Sequence, residues 1–248
     1  MKEISNRIKK DIRKLSKKKY RQQKGLIVVE GINPIIRAFE NNIELVYLVI
    51  NKNSLDILKE LNVRNYDKIY TCDYHELKGL SNMRTPYKMM AVFQYPEKEL
   101  NENKNILYLE HIQDPANLGT LIRSAVAFGF PNIILSKKCV NPYLEKVIRS
   151  SSGYIFDCYI NKRELNFEEY KKKGYKILGA SLKNNAAEMD SFKHNEPIIL
   201  ILGNEGQGIS ESIGQHIDRN IRINMDSKVE SLNVAIAGSI IMHKFYRS

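Results

Sequence analysis

Short apolar runs alternate with helical patterns along most of the chain. Between residues 26 and 94, four β-branched runs predict strands, and the segments between them have the apolar spacing of helices. The predicted strands are 26–30, 45–50, 68–72 and 89–94, and the predicted helices are 33–41, 54–61 and 73–80. The polar, aperiodic stretch PEKELNENKN follows, and we assign 97–105 within it to a linker.

The second half of the chain starts the same alternation again. The run 198–202 is apolar at every position, so that strand should be buried on both faces, as in a parallel sheet covered by helices. We predict an α/β fold: residues 1–96 form a small α/β domain, and 106–248 form a parallel-sheet α/β domain. The predicted strands here are 106–110, 132–136, 155–160, 175–180, 197–203 and 220–225, and the predicted helices are 117–129, 143–150, 166–172, 209–217 and a last helix from 231.

Three loops follow strands of this second domain, and parallel sheets bind ligands at the carboxyl ends of their strands. The first contains NLGTLIRSAVAFG, in which Arg123 lies one step off the apolar stripe of the helix. Asn117 precedes the predicted helix, where its amide would cap free N–H groups or turn outward to a ligand. Taken singly, Asn117 fits a cap better than a contact, and Arg123 fits a surface arginine.

The second loop, LGNEGQGIS, places its glycines in the order GxxGxG, which differs from the GxGxxG of dinucleotide sites. No P-loop lysine follows, and Glu205 would repel a pyrophosphate. Alone, the loop fits a simple turn; as a site, its glycines would let the backbone approach something flat or narrow. In the third loop Ser231 is placed to cap a helix that is apolar or small nearly all round, which indicates burial on more than one side.

The net charge of +11 is concentrated at the N-terminus, where residues 1–24 hold eleven Lys or Arg and two acids. Apolar residues recur there at helical spacing (Ile4, Ile8, Ile12 and Leu15), which predicts one amphipathic helix with a cationic outer face. Such a face is typical of nucleic-acid binding. A solubilising surface and an anionic membrane surface are the alternatives, and the large aromatic residues that the latter favours are missing.

Other function classes are disfavoured by composition. No apolar run approaches the length of a membrane span, and the basic N-terminus lacks the apolar segment of a secretory signal. We therefore expect a cytoplasmic protein without a membrane partner. The three cysteines and five histidines show neither CxxC nor HxxxH spacing, so we expect no metal site.

The three loops together resemble the three signature motifs of the SpoU (TrmH-type) RNA 2′-O-ribose methyltransferases of the SPOUT superfamily. The matching strings are NLGTLIRSAVAFG, LGNEGQGIS and ESLNVAIAGSI, with VIRSSSG a further element, and the resemblance covers 105–248. The segment GLIVVEGINPIIRAFENN also resembles the ribosomal-protein-like RNA-binding domain that often precedes the catalytic one. Ala116, Asn224 and Ser227 depart from the usual motif residues, which affects the expected local loop shape.

The resemblance implies a deep trefoil knot near the C-terminus, S-adenosyl-L-methionine as cofactor, and a homodimer formed through the C-terminal domain. It implies transfer of a methyl group to a ribose 2′-hydroxyl of RNA, with ribosomal RNA favoured over transfer RNA. The residues that it assigns to cofactor binding, largely through their backbone, are Leu202, Gly203, Asn204, Gly208, Ile223 and Leu232.

The same resemblance assigns Arg123 to the transfer step, usually as the base that removes the hydroxyl proton. Because arginine guanidinium groups stay protonated in proteins, we expect stabilisation of the developing alkoxide and of an adjacent phosphate instead. Asn117 would position the ribose or its phosphate. Glu205 and Asn233 would orient Arg123 or the RNA, and Ser231 would combine capping with a site role.

Two rival functions remain at this stage. A non-catalytic RNA-binding protein would use the same basic segment without a cofactor pocket. An NAD-dependent oxidoreductase is disfavoured by the glycine order and by the absence of an acid at the tip of a second strand.

Overall fold

The computed structural model of the chain describes residues 1–61, 66–182, 186–189 and 196–246. Its backbone divides into two compact units, the first made of residues 1–97 and 143–156, the second of 98–142 and 157–248. Each unit has its own sheet. Within the described ranges, no helix is both long and apolar enough to cross a membrane.

The two sheets differ in strand direction. The first contains parallel and antiparallel pairs in the order β1-β4-β3-β5-β2, and the second is parallel throughout in the order β10-β12-β9-β11-β6-β7-β8. The strands are β1 (Lys2–Glu3), β2 (Leu26–Glu30), β3 (Leu45–Asn51), β4 (Ile69–Cys72), β5 (Met89–Gln94), β6 (Ile106–Leu109), β7 (Asn132–Leu135), β8 (Tyr159–Lys162), β9 (Lys176–Ala180), β10 (Ala187–Glu188), β11 (Ile198–Leu202) and β12 (Arg219–Arg222).

Helices cover these sheets, and short 3-10 segments join some of them. The 3-10 segments are Lys52–Lys59, Tyr66–Lys68 and Tyr154–Asp157. The α-helices are α1 (Asn6–Lys14), α2 (Lys18–Lys24), α3 (Ile32–Glu40), α4 (Tyr74–Lys78), α5 (Pro115–Ala127), α6 (Glu145–Ser150), α7 (Phe167–Lys172), α8 (Glu211–Gly214) and α9 (Val234–Lys244).

The parallel second sheet confirms the α/β expectation. Every residue of β11 is buried, and β11 lies between β9 and β6 in the middle of the sheet. Ile199 and Ile201 belong to an apolar cluster with residues of α7 and with partly buried Ile213 of α8. On the opposite face Leu202 lies against α9, where a Cβ on Gly238 would come within 2.5 Å of it.

Helix α1 confirms the amphipathic pattern at the N-terminus. Ile4, Ile8, Ile12 and Leu15 are all buried, in a cluster with residues of β2, β3 and β5. Burying each such side chain is worth about 2 kcal/mol, so this face holds the basic segment on the first sheet. The predicted single helix is wrong in one respect, because the chain forms two helices, α1 and α2, separated by residues 15–17.

Three further predictions need correction. The strand predicted at 155–160 starts only at Tyr159, because Ser152 and Gly153 adopt positive φ (51° and 82°) and turn the chain into a 3-10 segment. The helix predicted at 54–61 is also a 3-10 segment, kinked at Ser54. The helix predicted at 209–217 is reduced to the four residues of α8.

Candidate active site

A cleft of ≈ 740 Å³ opens in the second unit, where strands β9, β11 and β12 end. It is the size of a typical small-molecule site. Its walls come from three separate stretches of chain that meet only because the sheet brings their strands together. The lining residues are Ala180, Ser181, Leu182, 202–211, Gly214, Ile217, 220–223, Met225, Ser231, Leu232, Val234, Ala237 and Ile241.

The glycine-rich loop after β11 folds back on its own first residue. The backbone N–H groups of Asn204 and Gly208 each donate to the other residue's carbonyl, at 3.0 and 2.9 Å. A Cβ on Gly203 would lie 2.2–2.4 Å from backbone atoms of Gly208 and Ile209. Gly208 itself has φ +69°, which a side chain disfavours. The two glycines therefore meet different needs, close approach at Gly203 and a left-handed turn at Gly208.

The side chain of Asn204 holds this loop in shape. Its Oδ1 accepts from the backbone N–H groups of Gly206 and Gln207, at 2.9 and 3.2 Å. Its Nδ2 donates to the carbonyl of His111 at 3.1 Å, which ties the loop to the end of β6. The buried carboxylate of Glu110 adds a second tie, accepting from the N–H of Ser210 at 3.0 Å. The loop is thus fixed by side chains before any ligand enters.

Asn117, Glu205 and Asn233 form one hydrogen-bonded chain, although they are far apart in sequence. Asn233 Nδ2 donates to Asn117 Oδ1 at 3.1 Å, and Asn117 Nδ2 donates to Glu205 Oε1 at 2.8 Å. We call these three residues the amide network. It joins the three loops that sequence analysis singled out.

The cap of α9 determines which groups donate and which accept along the amide network. Asn233 is the N-cap of that helix, and its Oδ1 accepts from the N–H groups of Ala235 and Ile236, at 2.9 and 3.4 Å. Its NH₂ group must then be the donor to Asn117, whose oxygen accepts and whose own NH₂ faces Glu205. The chain of donors therefore ends on a carboxylate, which accepts only.

The cap predicted at Ser231 is wrong, and of the two alternatives for Asn117 the capping one is wrong. Helix α5 is capped by Asp114, whose Oδ1 accepts from the N–H groups of Ala116 and Asn117, so Asn117 lies inside the helix and its side chain is left for the amide network. Helix α9 is capped by Asn233 and not by Ser231. In both segments two cap-forming residues lie close together; the earlier one caps α5 and the later one caps α9.

Most of the predicted site residues lie at the cleft or in the amide network, and Arg123 belongs to neither. The cleft is lined by Ser231, Glu205 and all six predicted cofactor residues: Leu202, Gly203, Asn204, Gly208, Ile223 and Leu232. Asn117 and Asn233 join Glu205 through the amide network. Arg123 lies on the exposed side of α5, six residues after Asn117, and is not among the lining residues.

One wall of the cleft, at the end of β9, was not among the predicted site residues. Ala180 and Ser181 line it there, and the rule that ligands bind at the carboxyl ends of parallel strands applied to this strand too. Gly179, just before them, leaves room for Ile217 and Asn220, since a Cβ there would lie 2.5 Å and 2.9 Å from their side chains. A glycine inside a predicted strand was the available signal for such a close approach.

The three cysteines are free and buried. Burial raises the pKa of the Cys139 thiol, which donates to the carbonyl of Leu109 at 3.2 Å. Burial also raises the pKa of Cys72 to about 11 and that of Cys158 to about 12. All three stay protonated near neutral pH. Among the described residues, no group of three His, Cys, Asp or Glu side chains is placed to hold a metal ion.

Comparison with known proteins agrees with this geometry. The chain is 29% identical over 246 residues to the 23S rRNA (guanosine(2553)-2′-O)-methyltransferase RlmP of Bacillus subtilis, with 94% of each chain covered. It superposes with a TM-score of 0.87 and 27% identity on a putative RNA methyltransferase of the TrmH family from Porphyromonas gingivalis, covering 98% of each chain. The fold also matches an AdoMet-bound rRNA methyltransferase from Sinorhizobium meliloti, with TM-score 0.86, 22% identity and coverage of 99% and 96%.

Two family models match separate parts of the sequence. Residues 6–91 match the MRM3-like substrate binding domain. Residues 104–243, more than half of the chain and including all three loops of the cleft, match the SpoU rRNA Methylase family. With the parallel sheet, the cleft at its carboxyl edge and this match in agreement, the chain belongs to the SpoU rRNA methylase family.

Proposed function

We propose that the protein transfers a methyl group from S-adenosylmethionine to a ribose 2′-hydroxyl of RNA, and that the RNA is ribosomal. One observation carries the proposal: the six residues expected at the cofactor line a single cleft, although they come from two loops about twenty residues apart. Family membership and the 23S rRNA activity of the RlmP relative support the substrate class. The cytoplasm is the proposed location, since the proposed substrate is ribosomal RNA.

The cleft fits a nucleoside cofactor. Leu202, Ile223, Leu232 and Ile241 give it apolar walls, and the loop after β11 offers main-chain groups where glycines keep side chains away. Ligand sites commonly combine such walls with a few polar groups that fix orientation. When bound, S-adenosylmethionine supplies an electrophilic methyl group on a sulfonium centre. The protein's own task is then to place the ribose hydroxyl and to assist the loss of its proton.

We assign that task to Arg123 and the amide network. Arg123 would stabilise the negative charge that develops on the ribose oxygen and hold an adjacent phosphate, since a guanidinium offers several donors in a fixed plane. Asn117 and Glu205 would fix the ribose or its phosphate beside it. Ser231, exposed at the mouth of the cleft and not engaged as a cap, would contact the substrate directly.

The proposal assigns a role to each part of the chain. Residues 1–96 would bind the RNA, residues 97–105 would act as the linker, and 106–248 would carry out catalysis. The match of 6–91 to a substrate binding domain and the cationic surface of α1 support the first role. The trefoil knot remains a prediction from the family.

A second copy of the chain is the proposed partner of α9. Ile236 and Ile240 lie one helical turn apart and are 50% and 37% exposed, while Ala235, Gly238, Ile241 and Met242 are buried on the other side of the helix. Together with the homodimer that the family resemblance implies, this exposed apolar pair supports an interface on α9. Sedimentation velocity should therefore give the mass of a homodimer, and a monomer at all micromolar concentrations would contradict this.

The activity is tested by two measurements on the full chain. Calorimetry should show saturable S-adenosylmethionine binding, and ribose-methylation mapping should find 2′-O-methyl sites in 23S rRNA that are lost from cells without the protein. No cofactor binding at millimolar concentration would favour a non-catalytic RNA-binding protein. Lost sites in transfer RNA alone would move the proposal to that substrate.

A further inference from the structure

Helix α1 presents its charges on an outer stripe and on two flanks beside the buried face. The outer stripe borders a shallow groove of ≈ 480 Å³ lined by Asn6, Lys9, Lys10, Arg13, Lys14 and Lys17. On one flank, Lys9 pairs with Glu76 at 2.5 Å and Arg13 Nε donates to the carbonyl of Gly79 at 3.3 Å. These two cations hold α1 against the loop around α4. The other flank carries Arg7, Asp11 and Lys14.

Three tyrosines lie along this second flank: Tyr20 of α2, Tyr47 of β3 and Tyr70 of β4. The rings of Tyr47 and Tyr70 have centroids 6.0 Å apart and cross at 71°. Lys14 Nζ lies 5.5 Å from the ring centroid of Tyr20. We call the three residues the tyrosine cluster.

Tyr47 is at the centre of this flank. Burial raises its pKa, and the charge of Asp11 raises it further, while Arg7 lowers it and Tyr70 and Tyr20 act more weakly. Asp11, Arg7, Tyr70 and Tyr20 therefore all lie close enough to the Tyr47 hydroxyl to influence it electrostatically. The three rings are half-buried, so each packs partly on the core while part stays open to solvent beside cations.

An irregularity in the sheet places Val46 next to Tyr47 on this face. Between β3 and β5, Leu45 pairs with Phe93 but Tyr47 pairs with Val92, so Val46 is an extra residue in β3. Tyr47 pairs with Val92 two residues before Val49, which is buried against α1, so ordinary alternation keeps Tyr47 on this face. The bulge adds Val46 to the same face, so both Val46 and Tyr47 pack against the residues buried under α1. Bulges of this kind commonly re-aim one side chain.

The polar ends of the cluster are available to a ligand. Within the described part of the chain, the hydroxyls of Tyr20, Tyr47 and Tyr70 make no hydrogen bond to another residue. Tyrosine hydroxyls that serve only to close a core usually find a partner when they are covered. Solvent-facing aromatic rings beside a cationic groove are the arrangement that single-stranded nucleic acid binds, by base stacking together with phosphate contacts.

We propose that the tyrosine cluster, with Arg7 and Lys14, binds unpaired nucleotides of the RNA substrate, whose phosphates run along the cationic stripe of α1. The proposal rests on the proposed function, which makes RNA the substrate. Bases within a duplex are already stacked and hide their faces, so the surface should select single-stranded or looped-out segments. Because every base has a π-face, the preference for sequence should be weak.

The test compares single-stranded and duplex RNA binding by fluorescence anisotropy. The probe is labelled oligoadenylate of about 12 nucleotides, a length within the range of known single-strand sites, alone or annealed to oligouridylate. The double variant Tyr47→Leu/Tyr70→Leu should weaken single-strand binding on the order of tenfold or more. Duplex binding and the salt dependence of binding should change little, because the phosphate contacts remain.

Two control variants separate stacking from folding. Tyr47→Phe keeps the ring and should keep the affinity. Tyr74→Leu removes a tyrosine of the same unit that is 45% exposed but lies outside the cluster, and it should also bind normally. A second measurement uses the unaltered protein: 4-thiouridine RNA should photo-crosslink to peptides containing Tyr20, Tyr47 or Tyr70.

Several results would overturn the inference. Equal affinity of the double variant, equal loss for single-stranded and duplex RNA, or crosslinks confined to other peptides would each do so. Preferential binding to phosphatidylserine vesicles would assign the surface to a membrane instead. Calorimetry with S-adenosylmethionine on the same samples distinguishes failure of the tyrosine-cluster proposal from failure of the methyltransferase proposal. The cofactor cleft lies in the other unit, so cofactor binding should persist when only the first proposal fails.

Discussion

The two units carry sheets with similar apolar strands but present their polar chemistry in different ways. In the first unit, positive charge is spread over helix α1, which covers one face of a mixed sheet. In the second unit, three loops at the carboxyl edge of a parallel sheet bring single groups to hydrogen-bond distance. RNA binding by the cationic surface of α1 should tolerate the loss of any one charge. Cofactor binding and methyl transfer at the three loops should depend on individual groups. Substitutions at three positions of the second unit and two of the first test this contrast.

The largest effect is expected at Gly203. Alanine there would place a Cβ 2.2–2.4 Å from the backbone of Gly208 and Ile209, so the loop must move. We expect loss of measurable S-adenosylmethionine binding by calorimetry. Gly206→Ala is the matched control in the same loop, since a Cβ there meets nothing nearer than 3.6 Å. Equal binding by both variants would show that the closed loop is not required.

Arg123→Lys should lower the methyl-transfer rate on the order of 10²–10³, because lysine keeps the charge but loses the planar group that we assign to the developing oxyanion. Cofactor binding should stay the same, since Arg123 does not line the cleft. Single-turnover kinetics with methyl-labelled cofactor gives the rate. Arg219→Lys, at an exposed arginine of β12, is the control. Full turnover by Arg123→Lys would exclude a specific guanidinium role.

Asn233 allows its two tasks to be separated. Asn233→Asp keeps an oxygen to cap α9 but removes the donor to Asn117, so stability should hold while methyl transfer falls about tenfold. Asn233→Ala removes both and should also lower the free energy of unfolding by about 1 kcal/mol. Chemical denaturation and activity assays give the two quantities. Normal activity of the aspartate variant would mean that the amide network is structural only.

A single charge of the first unit should matter much less. Lys10→Gln removes one exposed cation from the groove along α1 and should weaken RNA binding severalfold, with the slope of log K against log salt falling by about one. Lys59→Gln, at an exposed lysine outside α1, should leave both unchanged. If Lys10→Gln abolished RNA binding as completely as Gly203→Ala abolishes cofactor binding, the proposed difference between the two units would be wrong.

The smallest effect concerns Glu30, a buried carboxylate of β2. Burial raises its pKa above the ordinary value, although Ser81 Oγ donates to it at 2.6 Å. The folded protein therefore binds this proton more tightly than the unfolded chain, and stability is lost as pH rises from about 4.5 through the raised pKa. Glu30→Gln should remove that loss, so its advantage in Tm should grow over this pH range and then level off. A Tm difference independent of pH would contradict the assignment.

The sequence predicted the central strands of the second sheet well because β6 and β11 are apolar at every position. It could not identify the helix caps, since Asp114 and Asn117, like Ser231 and Asn233, all have cap-forming side chains. The choice depends on where the backbone leaves the preceding strand. It also could not predict the amide network, whose members are 88 and 116 residues apart and meet only through the strand order of the sheet. The bulge in β3 was hidden for a similar reason, because register is a property of two strands.

Helix α9 has one further consequence. Its N-cap, Asn233, directs the amide network, and its side carries the exposed Ile236 and Ile240. In the homodimer that we propose, a second copy packed on this side would restrain the helix whose N-cap orders the groups that we assign to catalysis. We expect this restraint to favour cofactor binding, and by linkage the cofactor would then favour association by the same factor. Saturating cofactor should lower the concentration at which two chains separate.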